Sequence, residues 1–452
     1  MDYDIIIIGA GPAGYVAAIR AGQLGLKTAV IEKNQIGGMC LNWGCIPSKA
    51  VIESAKLYRR ILHDAPVFGI EGIENSALRF NWHKATGRAE QIVKRLTNGV
   101  SFLLKKNGVD IIQGSAHITA TNNVSVNNRN ISAKNIVIAT GSYHVPIKAN
   151  LPDGLVVELH QLFQLKEIPQ NIVLVGESSI AVELAQMFNL IGKNVSLVVP
   201  GARIMPLADD YLAAWMLRKL RKDKINVIFD AGVFAADAAY ANGILKVGKN
   251  DVPCDMVINS KNRVGIVPPN DINLEIRDGF VTCTKSFETN IPGIFAIGDV
   301  NGHSQFAHVG SAQGLFVVNY IKGIREEVDF SKYPMNMYSN PEIAQIGYTE
   351  QQLKEMNLDY KVSEFPLSAN GKAMAEGHTE GFVRMLSEVK YGEVLGVQIV
   401  APNATDMIAE AAAFMQVEST IYDVAKTIHA HPTISEVFME AGFSAVDQPI
   451  HL

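Results

Sequence analysis

Cysteine is scarce in this chain, with four among 452 residues. That excludes a disulfide-stapled secreted scaffold and points to a reducing compartment, the cytoplasm. Long hydrophobic runs are missing as well: no stretch approaches the ~18 consecutive apolar residues of a membrane span. The opening MDYDIIIIGAGPAG enters a strand and a turn at once, so no signal peptide is expected. Charge of one sign is not concentrated either. A net charge of −5 and the lack of any Lys/Arg block argue against nucleic acid as a partner. The basic cluster RKLRKDK (218–224) reads as the polar face of a helix. At this length one hydrophobic core is too few, and roughly two to four domains are expected.

What is present begins with glycine. The segment DYDIIIIGAGPAGYVAAIRAGQLGLKTAVIEK (2–33) reads strand, tight turn, helix, strand. Gly9, Gly11 and Gly14 form G-x-G-x-x-G after a continuous apolar run. The first glycine permits the turn, the second lets backbone approach a pyrophosphate, and the third lets helix pack on strand. The helix start offers free N–H groups and a positive dipole to phosphates. Glu32 ends the next strand, 23 positions past Gly9, where a carboxylate accepts from both hydroxyls of an adenosine ribose. Two further strand tips carry small residues. IVIATGS (136–142) ends in Thr140, Gly141 and Ser142, and GIFAIGDV (293–300) ends in Gly298 and Asp299, whose carboxylate suits a ribityl or ribose hydroxyl.

Cys40 and Cys45 follow directly, in GGMCLNWGCIPSK (37–49). A zinc clip requires two more ligands at similar spacing, and Cys254 and Cys283 are isolated and remote, so no metal is expected. An inert buried pair remains open; a redox disulfide beside the bound nucleotide accounts best for the position, because so short a loop opens and closes without unfolding the domain. A thiol substrate needs a base, since thiolate is the nucleophile. His431 and Glu436, in HAHPTISE (429–436), supply a histidine and a carboxylate, although spacing alone favours a satisfied core histidine.

GGMCLNWGCIPSK is similar to the active-site signature of the class I pyridine nucleotide–disulfide oxidoreductases, and closest to the dihydrolipoamide dehydrogenases, whose motif runs G-G-T-C-L-N-x-G-C-I-P-S-K. HAHPTISE resembles that family's H-x-H-P-T-x-S-E, and the likeness extends over nearly the whole chain. Met39 and Trp43 are the departures within the cysteine motif, and neither removes chemistry. The resemblance implies that the dinucleotide is FAD, that Cys45 faces the flavin, that Cys40 exchanges with substrate, and that Lys49 lies near the flavin's reactive edge. It adds Lys33 and Ala116 to the FAD-binding residues, together with the start of a helix at Ala307 aimed at the flavin pyrimidine. It implies a homodimer in which His431 and Glu436 reach the partner's cysteines, and as substrate a lipoyl-bearing carrier protein or dihydrolipoamide. His429 matches a family position and receives no proton role.

The chain repeats its first cradle. IVLVGESSIAVELAQMFNLIGKNVSLVVP (172–200) has the same layout, with Gly176 aligned on Gly9. The second and third glycine positions hold Ser178 and Ala181, and the acid position, 23 past Gly176, holds Val199 followed by Pro200. Arg203 alone is a weak candidate for a 2′-phosphate. The resemblance makes this the NAD(P) site, and near its closing strand Asn262 stands before Arg263 where the family has glycine. Val199 removes a charge-assisted hydrogen bond worth roughly 1.5–3 kcal/mol. Glu183, which in the family pairs with the active-site lysine (here Lys49), is retained. These residues predict an intact dithiol–flavin half reaction with NAD use weakened or replaced.

The expected fold is α/β: two Rossmann-like, three-layer dinucleotide-binding domains and a C-terminal α+β dimerisation domain. The expected borders are 1–145 and 268–333 for the FAD domain, 146–267 for the degenerate NAD-like domain and 334–452 for the dimerisation domain. In the last, VLGVQIVAP (394–402) reads as a strand and 403–416 as a helix with Asn403 as N-cap. The expected activity is FAD-dependent dithiol–disulfide exchange on lipoyl groups. The alternatives are an ordinary NAD-dependent dihydrolipoamide dehydrogenase and a redox-silent FAD-binding subunit of a lipoyl complex. A glutathione-type reductase fits the motifs less well, and a mercuric reductase lacks its C-terminal cysteine pair here.

Overall fold

The computed structural model describes residues 1–73, 77–149, 151–229 and 239–452. The chain divides into two compact units, Met1–Leu57 with Ala65–Pro169 and Met256–Val328, and Tyr58–Asp64 with Gln170–Asp255 and Asp329–Leu452.

The first unit is built on the apolar run of residues 4–8. Strand Tyr3–Ile8 is sandwiched in a parallel sheet between Thr28–Glu32 and Arg129–Ile138. Asp110–Gln113 extends the sheet on one side, and Ile294–Ala296 pairs with Arg129–Ile138 on the other. Burial on both faces explains why Ile5, Ile6 and Ile7 are fully enclosed: a parallel strand covered by helices has no polar side. The first half of Arg129–Ile138 turns antiparallel, pairing with Asn123–Val126, which pairs with His117–Ala120. Helix Pro12–Gln23 packs on helix Ala307–Ile321, and Trp82–Lys106 starts at Asn81, whose side chain accepts from the Lys84 N–H as an N-cap.

The second unit repeats the theme. Asn171–Val175, Asn194–Val199 and Asn226–Phe229 run parallel, joined by helices Ser179–Leu190 and Asp210–Lys222. The basic cluster 218–224 does lie on and just past the second helix, where Lys219 pairs with Asp223 and Glu380. The C-terminal part is a five-stranded antiparallel sheet in the order Met335–Met337, Glu342–Gly347, Val394–Ala401, Phe382–Glu388, Tyr360–Pro366. Helix Ala404–Gln416 lays Met407, Ile408, Ala411 and Met415 on it. Asn403 occupies the N-cap position as expected, but its side chain makes no capping bond. The Thr405 N–H and hydroxyl at the helix start are taken instead by Glu342. Two Rossmann-like units of structure and a C-terminal α+β sheet are thus present. Among the described residues no helix is long and apolar enough to cross a membrane.

Candidate active site

Strand register delivers the motif residues of the first unit to one edge. Ile8 lies opposite both Ile31 and Ile138, and Ala296 opposite Ile138, so Gly9, Glu32, Thr140 and Asp299 emerge at neighbouring strand tips. Gly9 adopts φ +105°, and a Cβ there would sit 2.3 Å from the Ala139 carbonyl oxygen. A Cβ on Gly14 would meet the Gly9 carbonyl at 1.9 Å, so the helix rides directly on the turn. Gly11 differs: nothing in the chain lies within 3.9 Å of a Cβ built there. The protein itself does not need that glycine, which is what a cradle left open for a pyrophosphate requires. Helix Pro12–Gln23 begins at Gly11 with no side-chain cap, leaving its first N–H groups for phosphate. These features fit an FAD dinucleotide.

The buried Glu32 carboxylate accepts from the Ala10 N–H and the Asn34 N–H, each at 2.8 Å. Lys33 is exposed next to it. Ala116 packs its side chain into the cluster of Ile118, Val126 and Ile138. Thr140 donates its hydroxyl to the Ile266 carbonyl at 2.5 Å, and Gly141 takes φ +77°. Asp299 Oδ2 accepts from the Ser142 hydroxyl and from Arg263 Nη1, both at 2.6 Å. Arg263 also donates to Ser142 and to the Gln305 carbonyl, each at 3.0 Å, and lies 3.7 Å from the Met39 sulfur. Sequence reasoning gave Arg263 no part in this network; its signal was the arginine that ends the family's closing motif. Asn262 keeps φ out of the left-handed region, so its replacement of glycine creates no strain. Helix Ala307–Ile321 starts at Phe306 without a side-chain cap.

Cys40 lies within the short helix Gly38–Asn42 and Cys45 opens helix Cys45–His63. Both are thiols in this structure, and their side chains hydrogen-bond each other. Cys40 is pushed far up from its ordinary pKa, first by that hydrogen bond, then by burial and by negative charge on Cys45, with Lys49 pulling the other way. Cys45 stands at the positive end of its helix, where the dipole favours negative charge on its sulfur. Tyr15 lies close enough for both cysteines to push its phenol up, after burial as the main cause.

In the second unit, Glu183 is buried and accepts the Tyr338 N–H at 2.9 Å. His431 Nδ1 is 2.9 Å from Glu436 Oε1, and the Thr433 N–H donates to Oε2 at 2.8 Å. Those donors hold Glu436 below the usual carboxylate range, against partial burial, which acts the other way. The His431 side chain is 80% exposed, so it does not sit as a satisfied core histidine. The same loop carries His429, whose Nε2 is 2.6 Å from Glu410 and whose Nδ1 is 3.0 Å from the Thr427 carbonyl. In the second cradle Ser178 is the N-cap of helix Ser179–Leu190, yet its buried hydroxyl makes no hydrogen bond. Val199 is fully buried, and Arg203 is spent on the Pro206 and Ala208 carbonyls and on Asp210. Arg203 is thus not poised for a 2′-phosphate.

Comparison with known proteins gives the same answer as the motifs. Residues 3–314 match the model of the pyridine nucleotide-disulphide oxidoreductase family, and residues 333–442 match that family's dimerisation domain. The chain is 34% identical to mitochondrial dihydrolipoyl dehydrogenase of Pisum sativum over 100% of its own length and 93% of the relative's. It is 35% identical to a dihydrolipoyl dehydrogenase of Bacillus subtilis, covering 100% and 98%. Among solved structures, LpdA of Mycobacterium tuberculosis shares the fold with a TM-score of 0.86 at 22% identity, over 97% and 98% of the two chains. The HOCl-induced flavoprotein disulfide reductase RclA of Escherichia coli, as its Cu(II) complex, gives 0.86 at 24%, over 98% and 99%. The chain belongs to the pyridine nucleotide-disulphide oxidoreductase family and is a flavoprotein disulfide oxidoreductase near dihydrolipoyl dehydrogenase.

Proposed function

We propose that this enzyme oxidises dihydrolipoyl groups, on a carrier protein or as dihydrolipoamide, through a Cys40–Cys45 disulfide, in a homodimer. Residues 1–145 and 268–333 make up the FAD domain, 146–267 the second nucleotide domain and 334–452 the dimerisation domain. The observation that carries the reading is the Cys40–Cys45 pair, whose side chains hydrogen-bond each other on the segment that packs against the Gly11 turn of a dinucleotide cradle.

Glu436 accepts from His431 Nδ1–H, which leaves Nε2 with its lone pair facing outward. In a dimer this Nε2 takes the proton of one substrate thiol on the partner's side. The substrate thiolate attacks Cys40 Sγ, the Cys40–Cys45 bond breaks, and Cys45 leaves as thiolate. The second substrate thiol displaces Cys40 from the mixed disulfide and its proton passes to the leaving Cys40 sulfur, while His431 keeps the first proton and then releases it to solvent. The substrate is then a cyclic disulfide, and the enzyme holds a Cys40 thiol and a Cys45 thiolate. Lys49 and the helix start at Cys45 stabilise that charge. Bound at the first cradle through Gly9, Gly11, Gly14, Glu32, Lys33, the Ala116 backbone, Thr140, Gly141, Ser142 and Asp299, FAD supplies two-electron chemistry next to Cys45. The Ala307 helix start would support it with its dipole.

The acceptor half is weakened. Ser178 puts a side chain where backbone should meet pyrophosphate, and Val199 supplies no carboxylate. Turnover of dihydrolipoamide with NAD, NADP and a quinone dye, measured in parallel, tests both halves. The dye is expected to outrun NAD by tenfold or more. Equal rates would overturn the weakened acceptor half, and no turnover with any acceptor would overturn the lipoyl reading.

A further inference from the structure

The two cradles superpose bond for bond at their turns. Gly9 N–H donates to the Ile31 carbonyl at 2.8 Å, and Gly176 N–H donates to Val198 at 3.0 Å. With that register Ala10 corresponds to Glu177, Glu32 to Val199 and Asn34 to Gly201. The next bond agrees to within one residue: Gly37 N–H meets the Ala10 carbonyl at 2.8 Å, and Met205 N–H meets the Glu177 carbonyl at 2.6 Å.

In the first cradle the Glu32 carboxylate spans from the Ala10 N–H to the Asn34 N–H. In the second cradle the side chain at the Ala10 position is itself a glutamate, and its carboxylate lies against Gly201, the Asn34 position. A Cβ built on Gly201 would fall 2.0 Å from Glu177 Oε2. Gly201 is not in a left-handed conformation; its small size is what the carboxylate occupies. A carboxylate thus stands in the gap between the turn and the second strand tip in both cradles, entering from the strand in one and from the turn in the other.

We propose that Glu177 replaces the missing acid at Val199 as the acceptor for the adenosine ribose, so that the second cradle takes a nicotinamide dinucleotide with a free 2′-hydroxyl and rejects one with a 2′-phosphate. This rests on the reading that the second cradle still takes such a nucleotide, however weakly. A carboxylate accepts from the 2′- and 3′-hydroxyls and repels a phosphate at the 2′ position. Arg203, the basic residue that follows the second strand, is bound to Asp210 and to two carbonyls instead. Weak affinity and retained selectivity therefore coexist: Ser178 lowers the first, and Glu177 keeps the second.

The test is calorimetric binding of NAD and of NADP to the oxidised FAD-loaded dimer, with no turnover required. The wild type should bind NAD at least tenfold tighter than NADP. Glu177→Gln should cut that ratio about tenfold by weakening NAD and strengthening NADP. Glu177→Ala with Val199→Glu, which returns the acid to the strand, should restore the ratio. Ser178→Gly should tighten both nucleotides and leave the ratio alone. A ratio unchanged in Glu177→Gln, with its thermal midpoint matching wild type, would overturn the proposal. So would a wild type that binds neither nucleotide at millimolar concentration. Reduction of the flavin by dihydrolipoamide on the same sample then tells whether the dithiol reading stands without it.

Discussion

His429 faces an oxygen acceptor with each ring nitrogen: Nε2 lies 2.6 Å from the Glu410 carboxylate and Nδ1 lies 3.0 Å from the Thr427 carbonyl. A carboxylate and a carbonyl on the two ring nitrogens favour the protonated ring. The hydrogen bond to Glu410 is the main cause that raises its pKa, against burial. In its protonated form the ring places a positive charge two residues from His431 and within reach of Glu436.

The charge on His429 should tune the base. Removing it in His429→Gln leaves Glu410 unneutralised and makes protonation of His431 easier. The acid limb of the kcat/KM profile for dihydrolipoamide should move to higher pH. Glu410→Gln removes the carboxylate and lets His429 go neutral in place, so its profile should stay near wild type. A role confined to holding the loop predicts lower rates at unchanged pH dependence in both variants. The sign for stability follows the raised pKa: the pair's contribution is full below about pH 6.5, the unperturbed value, and is lost as pH rises through the raised pKa of the ring.

Glu436 should matter more than its exposed histidine partner suggests. It fixes the tautomer in which His431 Nε2 is the base, and Thr433 holds it in place. Glu436→Gln can still hydrogen-bond Nδ1 but permits the wrong tautomer and no longer stabilises the imidazolium. The expected loss in kcat is about 10²–10⁴-fold, in the range of general-base contributions, with the protein folded and its FAD retained. Stopped-flow reduction by dihydrolipoamide measures it directly.

The first cradle was legible because its information is local. Gly9, Gly11, Gly14 and Glu32 stand in one strand–turn–helix–strand unit, where position along the chain fixes position in space. Thr140 and Asp299 were legible because strand tips in a parallel sheet share an edge. The Arg263–Asp299 and His429–Glu410 contacts were not, since each joins separate elements through side-chain reach that spacing does not encode. Glu177 was missed for a related reason. Position-by-position comparison of the two cradles found no acid at Val199, whereas the carboxylate arrives in the same gap from the opposite wall. Asn403 failed as a capping side chain because Glu342, from a neighbouring strand, had already taken the helix start.

The acid limb of folding stability should depend on Glu350. Arg384 Nη2 lies 2.5 Å from it, and Lys354 and the Tyr360 hydroxyl lie 2.9 Å away. Partial burial opposes ionisation, yet these donors hold its pKa down at about 2. A depressed carboxylate contributes stability above its unfolded pKa, and that contribution is lost as pH falls from about 4.5 toward 2. Its size at neutral pH is on the order of 2–3 kcal/mol. Thermal unfolding between pH 2.5 and 7 should show a shallower acid decline in Glu350→Gln than in wild type. The variant should also be less stable at pH 7, because Arg384 stays buried without its carboxylate.

Single cysteine variants test which of the two sulfurs carries the substrate. In the proposed cycle Cys40 exchanges with the lipoyl sulfur, while Cys45 stands at the start of helix Cys45–His63. In Cys45→Ser, Cys40 has no neighbour to resolve a mixed disulfide, so incubation with an open-chain disulfide, whose leaving thiol diffuses away, should leave one covalent adduct on Cys40, stable until a reductant is added. In Cys40→Ser the remaining Cys45 should form little adduct under the same conditions, because it is not the sulfur that meets the substrate. Intact-protein mass spectrometry followed by peptide mapping reads the outcome. Equal adduct on both variants, or adduct on Cys45 alone, would reverse the assignment of the two sulfurs and with it the direction in which electrons cross the pair.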